Sequence, residues 1–320
     1  MIDNNPTQTN KKDTAREKYN ELVKKFVSDL EQGVEPWKKS WNLKNGLPQS
    51  ATTNGLYSGI NIISLMSENQ FQSNKWITAK QVEKLGGTIK EKELENPKDI
   101  FFLKNMEKVH EELNEETGEI EQKKETYKIL RNYKVWNTEQ VDGINFQHEE
   151  PKSDNEKVQK IEEFLKSINP IILRGEPAYS KQGDCIYMPH ISDFEDSENY
   201  YSAFFHELSH WTNHDTRIDR DKFLQKYKEK AYGIEELIAE MSSAFLCAEK
   251  GISMETTQHS EYLDGWVKNI KENPYILFSA SSQASKATSY LERLSANNIK
   301  QSQDKKQTKS KSKFARPKAS

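Results

Sequence analysis

His206 and His210 stand four residues apart, and Glu207 follows the first of them, in the run Tyr200-Tyr-Ser-Ala-Phe-Phe-His-Glu-Leu-Ser-His-Trp211. On a helix, that spacing puts both imidazoles on one face, one turn apart, where they can share a metal ion. Glu207 would then lie beside the ion without binding it, suited to take a proton from water as general base. Phe204, Leu208 and Trp211 supply the apolar stripe that anchors such a helix. Two histidines on a helix can also be ordinary surface residues. The argument for a metal is a second apolar helix carrying carboxylates, Glu235-Glu-Leu-Ile-Ala-Glu240, followed by Met241, Ala244, Phe245 and Leu246. Carboxylates on a buried helix need a partner or a metal.

Glu236 is the first choice for the third ligand. Glu240, four residues on, shares its face and fits either an alternative ligand or a group that fixes an imidazole from behind. Glu235 points about 100° away around the helix and ranks third. His214 would continue the face of His210, but as a polar residue at a helix end it needs no metal. Two imidazoles, one carboxylate and an open position form the arrangement expected of a catalytic Zn2+ site, with one ion per chain and other divalent metals compatible. The chemistry that follows is hydrolysis of a peptide bond in a protein substrate. The alternative is a structural metal in a non-catalytic protein, although a structural site has no need of Glu207.

The elements that position these residues follow from hydrophobic periodicity. Helices are predicted over 14–30, 61–68, 79–85, 155–167, 198–213, 232–250, 262–272 and 279–295, with Gly33, Gly86 and Gly251 as stops. Thr78 is a natural N-cap. Strands are predicted over 99–104, 127–135, 171–174, 178–179 and 185–188. The acidic stretch 107–125 lacks an apolar face and reads as a long hairpin excursion or a mobile insertion. The strand Cys185-Ile-Tyr-Met188 precedes the histidine helix and is a candidate edge strand for extended substrate, with Tyr187 toward the cleft.

This pattern predicts an α+β chain of two domains. A disordered N-terminus over 1–13 precedes an α+β domain over 14–146, a linker over 147–154, an α+β metallopeptidase domain over 155–298 and a basic disordered tail over 299–320. The chain has 320 residues, 30% of them charged and 34% hydrophobic. Its net charge of −3 is uneven: from Lys300 eight basic residues against Asp304 give the tail +7, leaving −10 for residues 1–299. Such a tail is either a solvated end or a non-specific attractor of phosphate backbones. No apolar run approaches the ~20 residues a membrane helix requires, and the polar, Asn-rich start does not read as a signal peptide. A cytoplasmic protein with no membrane partner is expected. Cys185 and Cys247 read as buried thiols rather than as a disulfide.

Aromatic and basic residues interleave in the first domain: Trp37, Trp41, Tyr57, Trp76 and Tyr133 with Lys38, Lys39, Lys44, Lys75, Lys80 and Arg131. Rings offer stacking platforms for bases and lysines offer phosphate contacts, although most tryptophans are core residues.

The run Phe205 to His214, then Arg217-Ile-Asp-Arg220, then Tyr232 to Glu240 with Ala244-Phe-Leu-Cys247, resembles the ArdC-type antirestriction proteins of conjugative plasmids. In the first domain, Pro36-Trp37, Trp41, Gly59-Ile-Asn61, Trp76-Ile-Thr78, Gly86-Gly87 and Val135-Trp-Asn137 resemble that family as well. The resemblance implies an N-terminal single-stranded-DNA-binding domain joined to a gluzincin-like metallopeptidase domain, and a part in protecting incoming plasmid DNA from restriction. It supports Glu236 as ligand with Glu240 behind it. Single-stranded DNA and an unidentified, restriction-related protein substrate become the expected partners. The candidate DNA contacts are Trp37, Lys38, Lys39, Trp41, Lys44, Tyr57, Asn61, Lys75, Trp76 and Lys80.

Overall fold

The computed structural model describes residues 6–34, 36–39, 46–67, 71–113, 120–146, 153–254 and 262–314; for residues 6–13, 38–39, 113, 121 and 306–314 it describes the backbone only. In chain order the first part contains α1 (Pro6–Glu31), α2 (Pro36–Lys39), β1 (Gln49–Ser50), α3 (Ile60–Met66), β2 (Lys75–Ile77), α4 (Ala79–Lys84), β3 (Thr88–Ile89), β4 (Lys98–Leu113), β5 (Ile120–Asn137) and β6 (Val141–Asp142). The second contains α5 (Asp154–Ile168), β7 (Ile171–Arg174), β8 (Ala178–Ser180), β9 (Cys185–Met188), α6 (Ser197–Trp211), α7 (Asp221–Leu224), α8 (Ala231–Lys250), α9 (Leu263–Glu272) and α10 (Tyr275–Phe314). The fold is the α+β class read from the sequence.

Local chemistry sets most boundaries. Thr78 and Gln81 form a reciprocal capping box at the start of α4, and Ser153 with Glu156 does the same for α5. Gly251 ends α8 in the left-handed conformation, at φ 73°. The two ends of the chain depart from expectation. Helix α1 begins at Pro6, within the stretch 1–13 expected to be disordered, and α10 runs past Ser295 to Phe314, into the tail expected to be disordered from 299. Proline suits a first helical turn. No glycine or proline interrupts the sequence between Tyr275 and Arg316, so helix propensity carries α10 on after its apolar face has ended.

In the first part, a four-stranded sheet has the order β1-β2-β5-β4. Strands β4 and β5 pair antiparallel from Lys98 opposite Val135 to Leu113 opposite Ile120, so the acidic excursion is a long two-stranded ribbon. Asn61 clamps its base: the side chain donates to Phe101 O (2.9 Å) and accepts from Phe101 N (2.7 Å). In the second part, a three-stranded sheet has the order β7-β9-β8. The strand 185–188 is therefore central and has no open edge to offer a substrate. The free edges belong to β7 and β8, because β7 pairs parallel with β9 and β8 closes its other side antiparallel.

The two parts do not meet across a solvated gap. One apolar core contains Tyr19, Phe26 and Leu30 of α1, Trp37, and Ile60 and Ile63 of α3, together with Phe205, Leu208, Leu237, Phe245, Trp266 and Leu277. Tyr19 donates to Pro274 O at 2.6 Å, and Trp37 meets Trp266 edge-on with centroids 6.2 Å apart. A smaller cluster of Leu65, Trp76, Ile100 and Val135 lies under the base of the ribbon. Cys185 and Cys247 are buried free thiols. Among the described residues, no helix is long and apolar enough to cross a membrane.

Candidate metal centre

Helix α6 is buried on nearly every side. Asp196 caps it by accepting from Asn199 N (2.8 Å), and Phe204, Phe205 and Leu208 are fully enclosed. Phe205 packs edge-on against Phe164 of α5. Helix α8 lies alongside, fixed by Ser243 Oγ donating to Ser202 O at 2.8 Å. A helix surrounded by other elements presents polar groups to other protein groups rather than to water, so those groups must be satisfied inside.

Here they converge. His206 Nε2 and His210 Nε2 are 3.1 Å apart, and Glu236 Oε2 lies 3.3 Å from the first and 3.6 Å from the second. Donors bound to a tetrahedral ion at ~2.0–2.1 Å lie roughly 3.3 Å from one another. The observed triangle therefore has the size of one face of such a coordination shell. Two imidazoles and a carboxylate also suit divalent first-row metals. Among the described residues, this is the cluster able to hold a metal ion. Glu207, on the same helix, is 6% exposed.

The groups behind the ligands are ordered as well. Glu240 Oε1 lies 3.6 Å from His206 Nδ1, longer than a hydrogen bond. Glu235 Oε1 lies 3.4 Å from His210 Nδ1. Glu235 is in turn gripped by Arg220, whose Nε donates at 3.0 Å while Nη2 pairs with the other oxygen. Arg220 also donates to Thr212 Oγ1 (2.6 Å) and Ser209 O (3.1 Å), at the end of the histidine helix. This guanidinium is 1% exposed, and its fork geometry suits a two-oxygen grip. Partners of this kind fix the ring orientation and tautomer of metal-binding histidines.

The charges respond accordingly. Burial alone would raise the pKa of Glu236, but hydrogen bonds and charge from His206 and His210 outweigh it and hold the group well below the usual carboxylate range. Burial would likewise raise Glu235, yet Arg220 and His210 keep it lowered. For His206 burial dominates and lowers its pKa. For His210 burial also acts downward, but Glu235 and Glu236 prevail and raise it. The pocket thus carries ionised carboxylates around two imidazoles that face one another, an arrangement prepared for a cation.

Tyr232, one turn before Glu236, is 64% exposed. Its hydroxyl receives a hydrogen bond from Tyr262 Oη at 3.3 Å. The positioning roles of Glu235 and Arg220 were not read from the sequence. The helical offset of 100° that ranked Glu235 last among ligands is what aims it at the far nitrogen of His210. His214 lies beyond the end of α6, bonded to Thr216 (2.8 Å) and close to Asp215, outside the metal cluster.

The expected DNA contacts fare unevenly. Trp37 and Trp76 are buried, at 0% and 1% exposure, so neither ring can receive a base. Their burial has a common cause, since each is the largest side chain available to fill its core cluster. Asn61 is committed to Phe101. Lys75 is half-buried, Lys80 is exposed on α4, and Tyr57 is half-buried. Trp41 and Lys44 lie outside the described residues, as do the side chains of Lys38 and Lys39.

Residues 159–283, which contain His206, His210 and Glu236, match the family of zincin-like metallopeptidases. Residues 16–136 match the N-terminal domain of the anti-restriction factor ArdC; with both parts present in that order, the chain belongs to the ArdC-type antirestriction proteins. The crystal structure of metal-free antirestriction ArdC protein from plasmid R388 superposes with a TM-score of 0.69 at 29% identity, covering 87% of this chain and 98% of that one. Its Mn(II)-bound form gives 0.67 at 27% identity over the same shares of the two chains. Two DNA primases TraC of Escherichia coli are each 30% identical over 85% of this chain, which spans only 27% and 20% of their lengths. The uncharacterized protein y4eC of Sinorhizobium fredii is 23% identical, with 91% of its length covered. The Mn(II) form supports a divalent metal as the cofactor class.

Proposed function

We propose that this chain is a cytoplasmic antirestriction protein of a plasmid or other mobile element, which binds single-stranded DNA and hydrolyses a protein substrate at a zinc site. The observation that carries the peptidase reading is the convergence of His206, His210 and Glu236, with Glu207 buried on the same helix. A divalent ion held by those three groups supplies Lewis acidity to a water and to the scissile carbonyl. The Glu207 carboxylate takes the proton of that water as it attacks, then delivers it to the leaving amine. Glu235 and Glu240 keep the two imidazoles aimed inward. DNA binding rests on the ArdC-type N-terminal domain, and a restriction-related protein is the substrate class that fits an antirestriction role.

Glu207→Gln separates this reading from that of a non-catalytic protein with a structural metal. Wild type and variant are compared for metal content, for cleavage of candidate restriction proteins in the presence of single-stranded DNA, and for protection of incoming DNA. Retained metal with loss of cleavage and protection is expected. Retained metal with full protection would contradict the peptidase reading.

A further inference from the structure

The ribbon of β4 and β5 carries an unused surface. Side chains alternate across a strand, and residues opposite one another in register share a face. Ile100 opposite Tyr133, Phe102 opposite Arg131, Lys104 opposite Ile129 and Met106 opposite Tyr127 therefore lie on one side. Three large aromatics on that side are open to solvent: Phe102 at 42%, Tyr127 at 39% and Tyr133 at 41%. The rings of Phe102 and Tyr133 are 6.0 Å apart and tilted. Between them and Tyr127 stand Lys104 and Arg131, with no carboxylate over this stretch. Arg131 is half-buried, and its Nη1 is an enclosed donor that meets no acceptor among the described residues.

The opposite side over the same stretch differs. It carries Phe101, buried beneath Tyr19, then Leu103 with Leu130, and Asn105 with Lys128, and it exposes no aromatic ring. An asymmetry of rings and positive charge on one side of an exposed ribbon needs a ligand with flat apolar faces and negative charge. Single-stranded nucleic acid has both, whereas in a duplex the base faces are already stacked. From Tyr133 to Tyr127 the strand covers about 20 Å at ~3.3 Å per residue. That is room for a short single-stranded segment with its bases spread onto the rings.

We infer that single-stranded DNA binds across the Phe102–Lys104–Tyr127–Arg131–Tyr133 face of the ribbon. Bases stack on the three rings, and Lys104 and Arg131 meet phosphates. The inference rests on the DNA-binding part of the proposed function and assigns it a surface. Of the residues read from the sequence, Tyr133 and Arg131 belong to this face, while Trp37 and Trp76 do not.

The test is binding of a fluorescent oligothymidylate to the full chain, read by anisotropy. Lys104→Ala/Tyr127→Ala alters the proposed face. Lys128→Ala/Leu103→Ala removes one lysine and one exposed apolar side chain from the other. At least a tenfold loss of affinity is expected for the first pair and less than twofold for the second. Equal affinities in both variants and wild type would overturn the assignment while leaving DNA binding intact. Absence of binding by wild type would overturn the DNA-binding reading and the assignment with it. An equal loss for duplex DNA would overturn the stacking mode. Should either variant fold poorly, photo-crosslinking of wild type to a 5-iododeoxyuridine strand gives the same decision. Adducts on Phe102, Tyr127 or Tyr133 support the face, and adducts confined to other elements contradict it.

Discussion

The metal centre and the ribbon solve opposite problems. At the centre, polar groups are enclosed by α6 and α8, and the ligands are held by partners that are themselves held, as in the chain from Arg220 to Glu235 to His210. On the ribbon, aromatic and basic side chains stand in water on a two-stranded element with little packed against its outer half. A rigid, dry surrounding suits chemistry that needs ligand positions fixed within a fraction of an ångström. An exposed strip suits a long, flexible ligand read by stacking and charge rather than by shape. Changes at the centre should therefore act on metal, rate or stability, and changes on the ribbon on affinity for nucleic acid alone.

The largest effect expected is on turnover. Glu207→Gln should lower peptide hydrolysis by about 10²–10⁴-fold, with metal content and single-strand affinity unchanged. A parallel fall in DNA affinity would break the separation of the two regions. The next largest is on folding. Phe205→Ala, behind the histidine helix, should cost about 3–5 kcal/mol in denaturant unfolding, whereas Tyr127→Ala on the ribbon should stay within about 0.5 kcal/mol. Similar losses for the two would show that the ribbon is packed far more firmly than its exposure implies.

A smaller and more selective change is expected behind the ligands. Glu235→Gln keeps the side-chain shape but removes the charge between Arg220 and His210, and should weaken metal binding by about 10–100-fold. Competition with a chelating dye reads this directly, and an unchanged affinity would deny Glu235 its positioning role.

The smallest effect concerns Glu249, on α8 beyond the metal ligands. Burial, with repulsion from Glu292, raises it to about 7 from an ordinary 4.5, against the pull of Lys250. The fold thus favours the protonated form. That contribution to stability is complete below about pH 4.5 and is lost as the pH rises through 7. Glu249→Gln stays neutral throughout, so its melting temperature should exceed that of wild type at pH 8 and equal it near pH 4. A gain independent of pH would contradict the assignment.

How much of this was legible in the sequence differs by region for the same physical reason. His206, Glu207 and His210 lie on one helix, where spacing in sequence fixes spacing in space. Glu236 needed only a second apolar helix bearing a carboxylate. Arg220 was not legible as a partner of Glu235, because it reaches the site from outside both helices. The ribbon's faces depend on the register between two strands, and an error of one residue moves every side chain to the other face. Trp37 and Trp76 show the limit from the other direction. Interleaving with lysine marks a ring as available, but the demand of two cores for large apolar side chains decided where those rings went. The sheet order was equally hidden, since nothing in Cys185 to Met188 states which neighbour lies on which side.

The most direct measurement is the metal content of purified chain, by mass spectrometry, in wild type and in Glu236→Ala. If His206, His210 and Glu236 form the centre, wild type carries one divalent ion per chain and the variant loses most of it, while both bind single-stranded DNA alike. Equal metal content in the two would contradict the assignment of Glu236 and, with it, the coordination on which the proposed hydrolysis depends.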